Sequence, residues 1–213
     1  MTKYPAFLAS TLRSVFNTSR LLSLLCCTAL PLQANADEYI SLYSGQGLNH
    51  NFRELPSVAL KGELEFEPSW LAAVAYKRDC ATLSWVESIG ISAYCEGILV
   101  KHSGLQHNWE SDLAYQLVSP PWQLSAVDLH LTAAIGASYA FGTPSYEDGP
   151  LDNPEKRYRF QNFNAYELMI KPRQKNWYSF LRIHHRSGIY GLVAPRNVGS
   201  NFLALGISYR LNN

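Results

Sequence analysis

The chain has 213 residues, 47% hydrophobic, 13% aromatic and 16% charged, with a formal net charge of +1. The balanced charge excludes a nucleic-acid binder working by broad phosphate attraction, and the apolar content excludes a disordered chain. A mean hydropathy of −0.13 excludes a bundle of membrane helices, which leaves an aromatic-rich soluble domain or a protein that crosses a membrane on strands.

Residues 1–36 read as an export signal. Lys3, Arg13 and Arg20 are the charges before Asp37, an apolar run follows from Leu21 to Leu32, and Ala34 and Ala36 place small residues at −3 and −1 of a cleavage point. A basic start, a short apolar stretch and an A-x-A site describe a secretory signal peptide. The run is too short for a spanning helix, which needs about 20 residues. Its removal takes three of the 18 basic residues against 17 acidic ones, so the mature chain is negative. Cys26 and Cys27 leave with it. Cys80 and Cys95 remain in an oxidising setting, either as two free thiols or as a disulfide. The disulfide would close a loop of about 15 residues and contribute ~3 kcal/mol in the chain-entropy model.

Residues 37–213 form one domain, without linker or internal repeat, and apolar and polar residues alternate with period 2. Strands are predicted at 39–46, 57–67, 70–78, 89–101, 109–117, 163–172, 177–187 and 202–211. Turns fall at 67–69 and 171–176, and 142–159 reads as a long exposed loop. Val127 to Ala140 is a ninth candidate. Bacterial single-chain barrels have even strand numbers, so eight strands are expected, or ten if Ala81–Ser88 also spans. A soluble sandwich would show the same stripes. Strands of about 9–11 residues, a closing strand at the C-terminus, and aromatics at strand ends (Trp70, Trp109, Trp177, Tyr178, Tyr209) favour an all-β, antiparallel transmembrane β-barrel. Lys61, Glu63, Glu65, Glu167, Lys171, Arg182, Arg186 and Arg210 are expected to pair inside a narrow, filled barrel. Residues 101–110, with His102, His107 and Glu110, read as an interfacial loop anchored by Trp109.

The run from Trp177 to Gly188 carries the chemistry. On a strand, Arg182, His184 and Arg186 share one face. An arginine facing lipid near the midplane costs about 2–4 kcal/mol, so that face is the lumen. His185 and Ser187 then face lipid, and the alternation of the last strand, run backward, adds Asn201. A His and a Ser at i and i+2 lie about 6–7 Å apart along a strand. That spacing suits a general base and a nucleophile, with a third group holding the imidazole. An outward-facing nucleophile makes sense when the substrate is itself a lipid. His184 and His185 point to opposite faces and cannot both hold one ion. No metal or other cofactor is expected.

Arg182-Ile183-His184-His185-Arg186-Ser187-Gly188, followed by Gly199-Ser200-Asn201 and the closing strand, resembles the lipid A deacylase family (PagL-like, also called acyloxyacyl hydrolases). The resemblance implies an eight-stranded outer-membrane barrel that removes an ester-linked acyl chain from lipid A, so that lipopolysaccharide is its partner. His185 and Ser187 match the family's His-x-Ser pair. The place of the family's acid holds Ser200 or Asn201. Its oxyanion Asn is replaced by Gly188, which leaves a backbone N–H as donor. The rival function is a non-catalytic structural or adhesive barrel whose 142–159 loop makes the contacts. The oligomeric state, a homodimer included, stays open.

Overall fold

The computed structural model describes residues 36–147, 157–195 and 198–212. Apart from Ala36, the predicted export signal lies outside the described residues, as does the middle of the 142–159 loop. The elements are β1 (Glu38–Leu48), α1 (Leu55–Lys61), β2 (Phe66–Asp79), α2 (Ser84–Ser88), β3 (Ser92–Gly104), β4 (Trp109–Val118), β5 (Trp122–Gln123), β6 (Val127–Phe141), β7 (Phe160–Pro172), β8 (Trp177–Ser187) and β9 (Gly199–Arg210). Consecutive long strands pair antiparallel, β4 pairs β6, and β9 returns to pair β1. This is a closed eight-stranded barrel. The two-residue β5 only extends the hairpin onto β6. Because the strands alternate in direction, the described parts of 49–65, 105–108, 142–159 and 188–198 lie at one end. The described termini and the other three connections lie at the other.

Eight strands form, but not all are the expected ones. Residues 127–141 span, and 57–67 do not. Leu55–Lys61 is helical because Pro56 sits in the first turn, where its fixed φ suits a helix start. Gly62 then ends the helix in the left-handed region at φ 73°, donating to the Ala59 and Val58 carbonyls. Leu60, which a strand here would turn toward lipid, is 91% exposed on this helix. Glu67-Pro68-Ser69 is not a turn. It lies within β2, where the register slips between Gln46↔Trp70 and Leu48↔Phe66. A bulge of this kind tolerates a proline, which has no N–H for the ladder. Residues 81–88 do not span and instead contain α2. Nor are 101–110 a loop: β3 and β4 flank the short connection 105–108, and His102 and Glu110 are fully buried.

The outer wall is apolar: Leu42, Leu113, Ile135 and Leu205 are 60, 70, 59 and 68% exposed. Trp70, Trp109, Phe141 and Phe160 ring the loop end, and Trp122 and Tyr209 lie toward the other. This is the surface of a barrel in lipid. Tyr178, expected in that ring, turns inward and accepts a hydrogen bond from the buried Lys77 ammonium at 2.5 Å.

Charge fills the interior. Arg182 reaches Glu96 at 2.7 Å and also pairs with Glu167. Glu110 receives Arg186 at 3.3 Å, His184 at 2.8 Å and His102 at 3.1 Å. Glu147, from the 142–159 connection, is buried against Arg186 and Gln161 and plugs the loop end. The expected lumenal set is therefore corrected. Glu167, Arg182 and Arg186 are inside, but Lys61, Glu63 and Glu65 sit exposed around α1. Lys171 and Arg210 lie at the terminal end, where Arg210 pairs with Asp37. Cys80 and Cys95 are bonded as a disulfide, with Cα atoms 5.5 Å apart, tying the end of β2 to β3.

Candidate active site

Pleating sets the faces of β8. Arg182, His184 and Arg186 are buried in the lumen, whereas His185 and Ser187 lie half-buried on the outer wall. The ladder then chooses their neighbours. Asn201 of β9 stands opposite His185, and Gly199 opposite Ser187. On the other side, Asn164 of β7 stands opposite His185 and Asn162 opposite Ser187.

His185 Nδ1 and Asn201 Oδ1 are 2.7 Å apart. Asn201 Nδ2 donates to the His50 carbonyl at 2.8 Å. These two contacts fix a proton. The carbonyl needs the amide NH2, so the amide oxygen faces the ring, and Nδ1 must carry the hydrogen. Nε2 is left with its lone pair, the form a general base requires.

The connection after β1 closes over this wall. Phe52 stacks on the His185 ring, with centroids 4.5 Å apart and planes 23° from parallel, and on Tyr166 at 5.4 Å. The Glu65 N–H donates to His50 Nε2 at 2.9 Å, and the Asn49 N–H to the Glu65 carbonyl at 3.0 Å, which pins the segment. Between it and the wall lies a cleft of ≈ 1170 Å³, lined among others by Phe52, Asn162, Asn164, His185, Ser187 and Asn201.

No model of a known protein family matches the chain, and no curated protein does. Among solved structures it is similar to the outer membrane enzyme PagL, with a TM-score of 0.56 and 13% identity over 80% of this chain and 98% of that one. The chain has the PagL fold. Weaker likenesses are to LpxR from Salmonella typhimurium (TM-score 0.29, 9% identity, 74% of this chain and 60% of that one) and to Ail, the attachment invasion locus protein of Yersinia pestis (0.25, 10%, 83% and 99%).

On this PagL-like barrel the two candidates for the acid's place separate. Asn201 meets His185, whereas Ser200 points inward and donates to Glu147 at 3.2 Å. Gly188 has no room for a side chain. A Cβ there would strike the Ala194 carbonyl and lie 2.6 Å from the Pro195 oxygen. The connection folds back because the Gly188 carbonyl accepts from Val193 at 2.9 Å and Ala194 at 3.2 Å. Inside the PagL-like lumen, and among the described residues, Glu110, Asp112 and His184 each offer a ligand atom within 4.8 Å of one another. Glu110 there already receives Arg186 and two imidazoles.

Four neighbours of the site were not anticipated: His50, Phe52, Asn162 and Asn164. The two asparagines were open to the same reasoning that found Asn201, because alternation run back from Tyr166 reaches Asn164 and then Asn162. His50 and Phe52 carry no such signal, since an irregular segment has no period.

Proposed function

We propose that the protein is an outer-membrane serine ester hydrolase that releases an acyl chain from a lipid of the surrounding leaflet. Lipid A is the substrate implied by the resemblance of residues 182–201. The observation that carries the reading is the His185–Asn201 contact on the outer wall, with Ser187 on the same face and in the same cleft. Residues 1–36 serve as the export signal that this location needs.

Ser187 Oγ attacks the ester carbonyl as His185 Nε2 takes its proton, giving a tetrahedral oxyanion and an imidazolium. Collapse breaks the bond to the alcohol oxygen, which leaves with the proton from His185. The acyl group stays on Ser187. Water then repeats the steps and frees the fatty acid. Asn201 holds the imidazole in place but offers a neutral amide oxygen to the imidazolium, a weaker stabiliser than a carboxylate.

The test is mass spectrometry of lipid A incubated with the mature protein in detergent. Wild type should release one acyl chain, and Ser187→Ala and His185→Ala should not. No release by wild type, or release untouched by both substitutions, would sink the reading. The amide at 201 favours a second reading, a non-catalytic surface barrel. A serine-reactive phosphonate separates the two: it labels Ser187 in the hydrolase and leaves the inert barrel unlabelled.

A further inference from the structure

We propose that Asn162 is the oxyanion donor of this site and that Asn164 positions it; the inference rests on the reading of Ser187 as nucleophile. An ester attacked by Ser187 develops its negative charge on the former carbonyl oxygen, two bonds from Oγ, and that charge needs a donor aimed at it. At 188 no side chain fits, so that residue offers its backbone N–H alone and the side-chain donor must come from elsewhere. On the β9 side the residue opposite Ser187 is Gly199, which has no side chain to give. On the β7 side it is Asn162, directly across the ladder, where Cβ atoms stand about 4.5–5.5 Å apart.

The Asn162 amide is oriented. Its Nδ2 donates one hydrogen to Asn164 Oδ1 at 2.8 Å. Asn162 and Asn164 both line the cleft that holds His185 and Ser187, and the Asn162 NH2 has a second hydrogen to give. Asn162 is 7% exposed, so an oxyanion there meets a donor largely shielded from water, where such a bond is strongest. The outward row one step down the wall reads Ile135, Asn164, His185, Asn201. The carboxamides at 162 and 164 extend a polar patch on a wall that is apolar elsewhere, where unpartnered polar groups are costly, and a packing role would be met by Ala or Val.

The experiment uses the mature protein in detergent, a long-chain p-nitrophenyl ester and its thionoester, in which the carbonyl oxygen is replaced by sulfur. Sulfur is a poor hydrogen-bond acceptor, so an oxyanion donor shows as a preference for the oxygen ester. Asn162→Ala should lower kcat on the oxygen ester by about 10²–10³-fold with KM little changed. The oxygen-over-sulfur preference should collapse with it. Asn164→Ala should move both quantities the same way by less, and Asn164→Gln should recover part of the loss. Heat-modifiable gel migration equal to wild type confirms that each variant is folded. An Asn162→Ala rate within about threefold of wild type, or a loss that leaves the oxygen preference intact, overturns the proposal. If wild type and Ser187→Ala are equally inactive, the hydrolase reading falls and takes this one with it. If wild type is active through Ser187 while Asn162→Ala keeps its rate and preference, only this inference fails.

Discussion

Asn201 makes two contacts that constrain each other: its oxygen lies 2.7 Å from His185 Nδ1 and its NH2 2.8 Å from the His50 carbonyl. Removing the side chain frees the imidazole to rotate and change tautomer. Asn201→Ala should therefore lower acyl release on the order of 10²-fold or more, while the folded gel band persists. Asn201→Asp should not act as a simple improvement. It supplies a charge for the imidazolium but sets a second acceptor against the His50 carbonyl. The 49–54 segment should then be cut faster by added protease than in wild type. A protease pattern equal to wild type, with activity unchanged, would show that the His50 contact does no orienting.

The connections at the loop end are held from both sides of the wall. Glu147 enters the lumen from the 142–159 connection and meets Arg186 and Ser200, whose chain neighbours Ser187 and Asn201 face outward. Burial raises the Glu147 carboxyl above its ordinary value, against the pull of the Arg186 guanidinium. A raised folded-state value means the folded protein holds this proton where the unfolded chain has lost it. The group's contribution is then fully present below the ordinary glutamate range and declines as pH rises through the raised value. Glu147→Gln should flatten the pH dependence of stability in that window, read from thermal melts of the two proteins between mildly acidic and neutral pH. Parallel melts would refute it. At this scale the sequence was legible where one face is lipid and the other charged. Strand β8 matches its expected bounds because Arg182 and Arg186 cannot face lipid. The helix at 55–61 was misread because Val58 and Leu60 alternate with Ala59 and Lys61 like a strand, while the stronger signals, Pro56 and Gly62, were passed over. His102 and Glu110 were missed because their burial depends on barrel closure, a property of distant strands.

Across the whole molecule, the lumen stores its polar groups as one connected set. Arg182 lies between Glu96 and Glu167, and Gln116 links Glu167 at 2.8 Å to Lys77 at 3.0 Å. Arg182→Ala strands two buried carboxylates and should cost about 3–5 kcal/mol. The temperature at which the heat-modifiable band converts should fall well below that of wild type. The same variant with Glu96 and Glu167 made Gln should recover much of the difference. The site on the outer wall draws on the neighbouring strands β7, β8 and β9 and on the distant connection after β1. Strand β9 seals the barrel by pairing β1 from Tyr39↔Arg210 to Gly47↔Phe202. Asn201 reaches His185 through the β8–β9 pairing, but the Phe52 cover comes from the connection after β1 and arrives with that seam. An unsealed barrel carries His185, Ser187 and Asn201 without the cleft that the Phe52 segment closes. On the hydrolase reading proposed above, acyl release would serve as a clock for barrel closure.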